Sequence, residues 1–292
     1  DYRGTIAQWE AINIDTGNYF LISAIIKCSD GIKGNGKAIT IDSLTYELGN
    51  YTASLLKYDD SLQNLTIPKS IEYEGCEFAV TNIDNRAFAG CENLTDITIP
   101  DSVTSIGESA FEDCTSLTNI TIPNSLEIIG DYLFSGCTCL TSVVIPDSVT
   151  NIGGHAFSGC TNLVNVMIGN NVTSIGEHAF YNCRSLTNLT IGNKVTIIEN
   201  YAFYGCISLK DITIPDSVTS IGESAFDSCT SLVSVTLPKS IITIGTYAFS
   251  GCTSLTSIII PDSVTSIGES AFDGCTSLVS VTLSKSITTI EY

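Results

Sequence analysis

Basic residues are scarce in this chain of 292: 12 Lys and Arg stand against 31 Asp and Glu, for a formal net charge of −19. Duplex nucleic acid is held by cations that neutralise its phosphates, so this balance argues against it as a partner. The same imbalance argues against attachment to anionic lipid. Basic partners, neutral glycans and contacts bridged by divalent ions stay open. Long apolar runs are also lacking. The patch from Phe20 to Ile26 is interrupted by Ser23 and is far shorter than the ~20 residues of a membrane helix, so no membrane insertion is expected. Histidine occurs only at His155 and His178, and a Ser–His or Cys–His nucleophile would have to form there. No glycine-rich phosphate loop and no EF-hand spacing is present. Glu108, Glu177, Glu223 and Glu269 recur at one turn position, the pattern of a solvated edge rather than a tuned acid/base pair. No catalytic residue, cofactor or metal site is expected, and the chain does not read as an enzyme.

What is present is a period. Cysteines fall at Cys91, Cys114, Cys137, Cys160, Cys183, Cys206, Cys229, Cys252 and Cys275, each 23 residues after the last. Phe88 to Phe272 and Ile106 to Ile290 keep the same step. Within one unit, Leu117, Ile120 and Ile122 follow the Leu-x-x-Leu-x-Leu spacing of leucine-rich repeats. Ile120 and Ile122 alternate with polar residues, as in a half-buried strand, and Pro123 stops that strand. Leu126 and Ile129 form a second short apolar segment, Gly130 permits a turn, and the stretch through Phe134 to Cys137 reads as a short helical or irregular turn. One unit cannot bury its apolar residues alone; stacked neighbours bury them together. The expected fold is a leucine-rich-repeat solenoid, a right-handed superhelical stack of short parallel strands. A longer duplication is superimposed: Ile214 to Ile244 matches Ile260 to Ile290 except at Ser228/Gly274, Pro238/Ser284 and Ile242/Thr288. Adjustable array length is hard to reconcile with a single active site.

The motif Ile99-Pro100-Asp-Ser-Val103-Thr-Ser-Ile106-Gly-Glu-Ser-Ala110-Phe111, followed by Cys-Thr-Ser-Leu, resembles the BspA-like leucine-rich repeats over roughly residues 62–292. It departs from ordinary leucine-rich repeats in holding Ser102, Ser125, Ser148, Ser217, Ser240 and Ser263 where those place Asn or Cys, with Asn171 and Lys194 as exceptions. The resemblance implies a surface protein of host-associated anaerobic bacteria or parasitic protists, extracellular or on the cell surface. It also implies adhesion to matrix proteins or to other cells. Six Asn-x-Ser/Thr sequons, at Asn50, Asn64, Asn93, Asn119, Asn171 and Asn188, would crowd the surface with glycan in a eukaryotic secretory route, which favours a bacterial source.

Residues 1–39 do not fit the repeat and are read as a separate segment. They hold a possible hairpin, from Trp9–Ile14 through Asp15-Thr-Gly17-Asn to Tyr19–Ile22, and a polar linker at Gly31–Lys37. Residues 40–83 read as a β-rich amino-terminal cap, with strands around Leu44–Leu48 and Leu55–Tyr58. An insertion at 72–80 there is expected to turn tightly at Glu74-Gly75. The solenoid is assigned to 84–292. A first residue Asp1 in place of Met, and a last unit that stops at Tyr292, read as a processed or partial form. The carboxyl-terminal edge around Ile287 and Ile290 is expected to support self-association.

Equivalent cysteines in stacked units project in parallel, whereas a disulfide needs its Cβ atoms face to face. A ladder of buried free thiols is therefore expected, with Cys139 more exposed; the anaerobic habitat implied by the resemblance would leave such thiols unoxidised. His155 and His178 share a position with Ser109, Tyr132, Tyr201, Ser224, Tyr247 and Ser270 and should stack as neighbours. The candidate binding surface is the polar strand face, where Asn119 and Thr121, Ser142 and Val144, Asn165 and Met167, and Asn188 and Thr190 flank the buried residue of each first strand. Such ladders repeat every ~4.8 Å and offer hydroxyls, amides and a few apolar spots to a protein or glycan ligand. A plain preference of Thr for strands accounts for the same residues without a ligand.

Overall fold

The computed structural model describes residues 26–28 and 31–283, together with Thr5, Ala7, Gln8 and Ile287. The expected hairpin over Trp9–Ile22 and the edge residue Ile290 lie outside the described residues. Strands β1 (Ile26–Cys28), β2 (Gly31–Ile41), β3 (Leu44–Asn50) and β4 (Thr52–Tyr58) pair antiparallel in sequence. Gly31–Lys37, expected as a linker, is therefore part of a strand, and β2 runs across residue 39 without interruption. The irregular register between Lys33 and Lys37 carries Gly36 at φ 66°. After β5 (Asn64–Thr66), β6 (Ser70–Tyr73) and β7 (Cys76–Ile83) form a hairpin in which Tyr73 opposes Cys76. Its two turn residues, Glu74 and Gly75, both have positive φ, as a two-residue turn matched to strand twist requires.

Strand β7 joins the two parts of the molecule. It pairs parallel with β4 on one side and with Ser105–Ile106 of the first full unit on the other, Ile83 opposite Ile106. The cap sheet thus takes in one strand of the first full unit, and a separate ladder of second strands starts at Ile128–Ile129. Tyr58 of the cap lies 5.5 Å from Phe88 and closes the end of a column of phenylalanines. From Phe88 to Phe272 the rings stack one per unit, 4.9–5.7 Å apart. Each such contact contributes about 0.5–1.5 kcal/mol beyond area burial.

Each unit contributes two strands. The second strands, from Ile128–Ile129 to Ser266–Ile267, make one continuous seven-stranded parallel ladder in steps of one unit. The first strands do not. They form four separate pieces: Asn64–Thr66 with Asp96–Thr98 and Asn119–Ile120; Ser142–Ile145 with Asn165–Ile168 and Asn188–Thr190; Asp211–Thr213 with Ser234–Thr236; and Ser257–Ile259 with Ser280–Thr282. The chain leaves most first strands through proline, at Pro123, Pro146, Pro215, Pro238 and Pro261, which removes a ladder donor. In the central piece two exits are Gly169 and Gly192 instead. A Cβ on Gly169 would come within 2.6 Å of the Pro146 carbonyl oxygen, so the backbones there approach more closely than a side chain permits. Serines at the leucine-rich-repeat asparagine position tie units together as well: the Ser125, Ser217 and Ser240 hydroxyls donate to carbonyls of the preceding unit at 2.5–2.7 Å.

The turn segment is irregular, not helical. Leu133, Ser135 and Cys137 send their N–H groups three residues back, to Gly130, Tyr132 and Phe134. Between them, Tyr132, Phe134 and Gly136 donate to Gly154, Ala156 and Ser158 of the next unit at 2.8–2.9 Å. A helix would use every N–H within itself; here alternate donors are spent on the neighbouring unit. Tyr132 and Gly136 accordingly have positive φ, 56° and 72°, which ends any helical run.

Candidate functional site

Alternation along the first strands buries one set of side chains and presents the other. In the central piece Val143, Ile145, Val166 and Ile168 point into the core. Outward, Ser142 opposes Asn165, which opposes Asn188; Val144 opposes Met167, which opposes Thr190. The structure therefore brings six of the eight expected residues into one continuous patch. Asn119 and Thr121 are not part of it. Asn119 pairs with Asp96 in the preceding piece, and Thr121 falls beyond the end of its strand, Asn119–Ile120. The separation between the two pieces could not be read from the sequence, because the 23-residue register is the same across the break.

Within the patch the Asn188 side-chain amide donates to Asn165 Oδ1 at 2.6 Å, so the two amides are held as a pair. Val144 and Met167 lie side by side and are more than half exposed, 59% and 55%. The surface combines an apolar strip with a line of amide and hydroxyl groups, and no Lys, Arg, Asp or Glu is among its six residues. Two openings lie along the first-strand face where the ladder is interrupted, the smaller next to this patch and the larger two units further on. One of about 420 Å³ lies between Leu189–Ile191 and Asp211–Thr213, directly beside Thr190. A larger one, about 710 Å³, is lined by Ser234, Thr236, Lys239, Ser257, Ile259 and Asp262, with Ile259 68% exposed. The sequence carried no signal for the cleft around Ile259.

Cys76, Cys139 and the in-register cysteines from Cys91 to Cys275 are free thiols, and Cys91 through Cys252 of the in-register set are buried. Each from Cys114 to Cys275 donates its S–H to the carbonyl oxygen of the phenylalanine 26 residues earlier, at 3.1–3.4 Å. The thiol thus fills apolar volume and partners a carbonyl that would otherwise carry a single bond. Burial pushes the Cys160 and Cys206 thiols up to about 12, so they stay protonated and unreactive. Cys275 departs from the expected burial: it is only partly covered, because no described residue stacks its own turn beyond it. Cys139 is likewise half-buried.

On the turn side His155 and His178 stack with ring centroids 4.5 Å apart and planes 5° from parallel. No group of three His, Cys, Asp or Glu among the described residues is placed to hold a metal. No helix among those residues is long and apolar enough to cross a membrane.

Comparison with known proteins agrees with this architecture. A model described as BspA type leucine rich repeat region matches residues 81–210 and 196–292, with six copies. Among solved structures, a leucine rich cell surface protein from Faecalibacterium prausnitzii is 27% identical, with a TM-score of 0.54, covering 88% of this chain and 94% of that one. A leucine-rich repeat protein from Bacteroides ovatus is also 27% identical, with a TM-score of 0.44 over 87% of this chain and 90% of that one. The pneumococcal vaccine antigen PcpA is 19% identical, with a TM-score of 0.49 over 87% of each. No match was found among curated proteins. The unit length, the stacked parallel strands and the matched span together place the chain in the BspA-type leucine-rich-repeat family.

Proposed function

We propose that this chain is a non-enzymatic binding protein at the cell surface or outside the cell, and that a protein or glycan ligand docks on its first-strand face. The observation that carries this reading is the in-register patch of Ser142, Val144, Asn165, Met167, Asn188 and Thr190. It is rigid before any ligand arrives, so little ordering entropy is lost on docking. Its polar groups fix orientation, while Val144 and Met167 supply an apolar centre of the kind in which interface energy concentrates. The surface location draws on the cell surface protein from Faecalibacterium prausnitzii, 27% identical over most of both chains. The family resemblance suggests an extracellular matrix protein as the ligand class.

Immobilised fibronectin and fibrinogen test the reading directly. Met167→Lys with Thr190→Lys is expected to weaken binding at least tenfold, and His155→Tyr with His178→Tyr on the turn side to leave it unchanged. Binding abolished by the turn-side pair and not by the strand-face pair would move the site elsewhere. A second reading, a structural spacer that carries another part of a surface protein, is favoured by the whole-block duplication of Ile214–Ile244 at Ile260–Ile290. A folded array that binds neither protein puts the spacer reading ahead.

A further inference from the structure

The corner position of four central units holds Tyr132, His155, His178 and Tyr201, all at φ of 55–57°. The repeated left-handed backbone projects successive side chains in the same direction. The four rings form one column with spacings of 4.6, 4.5 and 4.7 Å and planes within 10° of parallel. Small buried serines, Ser109 and Ser224, occupy the equivalent positions on either side. The column sits on backbone that ties units together: the His155 N–H donates to the Glu177 carbonyl at 2.8 Å and the His178 N–H to the Asn200 carbonyl at 3.0 Å.

Two of these four rings are imidazoles, the side chain that can gain a charge in the physiological pH range. The charged group that reaches the His178 imidazole, apart from His155, is Glu177, whose Oε1 lies 3.6 Å from Nδ1. Tyr201 stacks on the far face of His178, Tyr181 meets it at a tilt, and Tyr132 covers the far face of His155. One proton on the pair is accommodated, because Glu177 and the tyrosine faces accept a positive charge. A second proton puts two like charges face to face at 4.5 Å in a partly buried column, where water screens them poorly.

We propose that the His155–His178 stack is an acid-sensitive joint in the middle of the array: neutral, it closes the turn edge of these units; doubly protonated, it parts and loosens the backbone bonds beneath it. The basicity of His178 is already lowered, first by burial and then by His155, with Glu177 opposing. A histidine whose basicity is lower folded than unfolded takes up more protons in the unfolded state. Its contribution is therefore present above the ordinary histidine range and lost as pH falls through it.

The repeat supplies its own control, because tyrosine stands at this position in Tyr132, Tyr201 and Tyr247. His155→Tyr with His178→Tyr keeps the stack and removes its titration. Melting of the whole chain is compared at pH 7.5 and 5.5, with amide hydrogen exchange read at residues 155 and 178. The wild type is expected to lose about 2–4 °C more than the double variant on acidification, with faster exchange at both amides. His178→Tyr should behave like the double variant, since no imidazole pair is left to repel, while His155→Tyr keeps the smaller acid sensitivity that burial alone gives His178. NMR of the wild-type imidazoles should show two separated protonation steps. A double variant as acid-sensitive as the wild type, a His178→Tyr variant that keeps half the effect, a His155→Tyr variant as acid-sensitive as the wild type, or a single shared protonation step would each overturn the joint.

Discussion

The two ladders of this solenoid are built from the same units in the same register, yet the second strands run unbroken from Ile128–Ile129 to Ser266–Ile267 while the first strands fall into four pieces. The difference lies in what each side allows the backbone to do. On the second-strand side a glycine follows most strands, and a Cβ at Gly176 would meet the backbone of Gly153 at 2.7 Å. The units approach there as closely as peptide planes permit. Threonines reinforce the contact: the hydroxyls of Thr150, Thr173, Thr196 and Thr219 each donate to the carbonyl one unit back, at 3.0–3.3 Å. On the first-strand side the ladder is interrupted after Asn119–Ile120, Asn188–Thr190 and Ser234–Thr236. The longest strands there, Ser142–Ile145 and Asn165–Ile168, leave through Pro146 and Gly169. Interruptions follow both proline exits and the Gly192 exit, so the residue at that position does not by itself set them.

The largest expected effect breaks both ladders at once. Phe180 is fully buried and stacks on Phe157 and Phe203, so Phe180→Ala should cost about 3–5 kcal/mol, as for other buried aromatic truncations. Denaturant unfolding followed by circular dichroism measures this, and a cost below that of a surface mutation would show that the core column is misassigned. Gly176→Ala should be the next most harmful, about 1–3 kcal/mol, because the added methyl forces the Gly153 backbone away. It acts on the continuous ladder alone, and hydrogen exchange should rise at the Gly176 amide, which donates to Ile152. Thr190→Ala, on the open face at the edge of a ladder break, should stay within about 0.5 kcal/mol. A cost for Thr190→Ala comparable to that of Gly176→Ala would mean that the two sides contribute equally and that the breaks have no energetic meaning.

Much of this organisation was legible beforehand because a repeat states each fact many times. Nine cysteines and nine phenylalanines at one spacing can satisfy burial only by stacking, and the inward set Val143, Val166 and Leu189 followed from simple alternation. The turn at Glu74-Gly75 was legible for a different reason: two residues between strands require positive φ, and glycine supplies it cheaply. The stack of His155 on His178 was legible from their shared position alone. Gly31–Lys37 was misread because three glycines and two lysines in seven residues match a linker's composition, while pairing with β1 and β3 is not a local property. The helical option at the turn failed for a related reason, since the acceptors that compete for its donors lie in the next unit. Of the candidate face, six residues share one piece and Asn119 and Thr121 belong to another, a division set by unit-to-unit distance and not by residue type.

By itself the sequence determined the unit length, the identity of the core, the inside and outside of each strand, and the neutral character of the exposed face. All of these follow from periodicity, in which a single unit and its copy a fixed number of residues later must have the same environment. Tertiary structure decided where the first-strand ladder parts, which openings result, how the cap feeds its last strand into the array, and where the thiol protons go. Those outcomes depend on distances between units. Such distances accumulate from small differences in backbone approach, at Gly169, Gly176 and the prolines, and no single unit contains them.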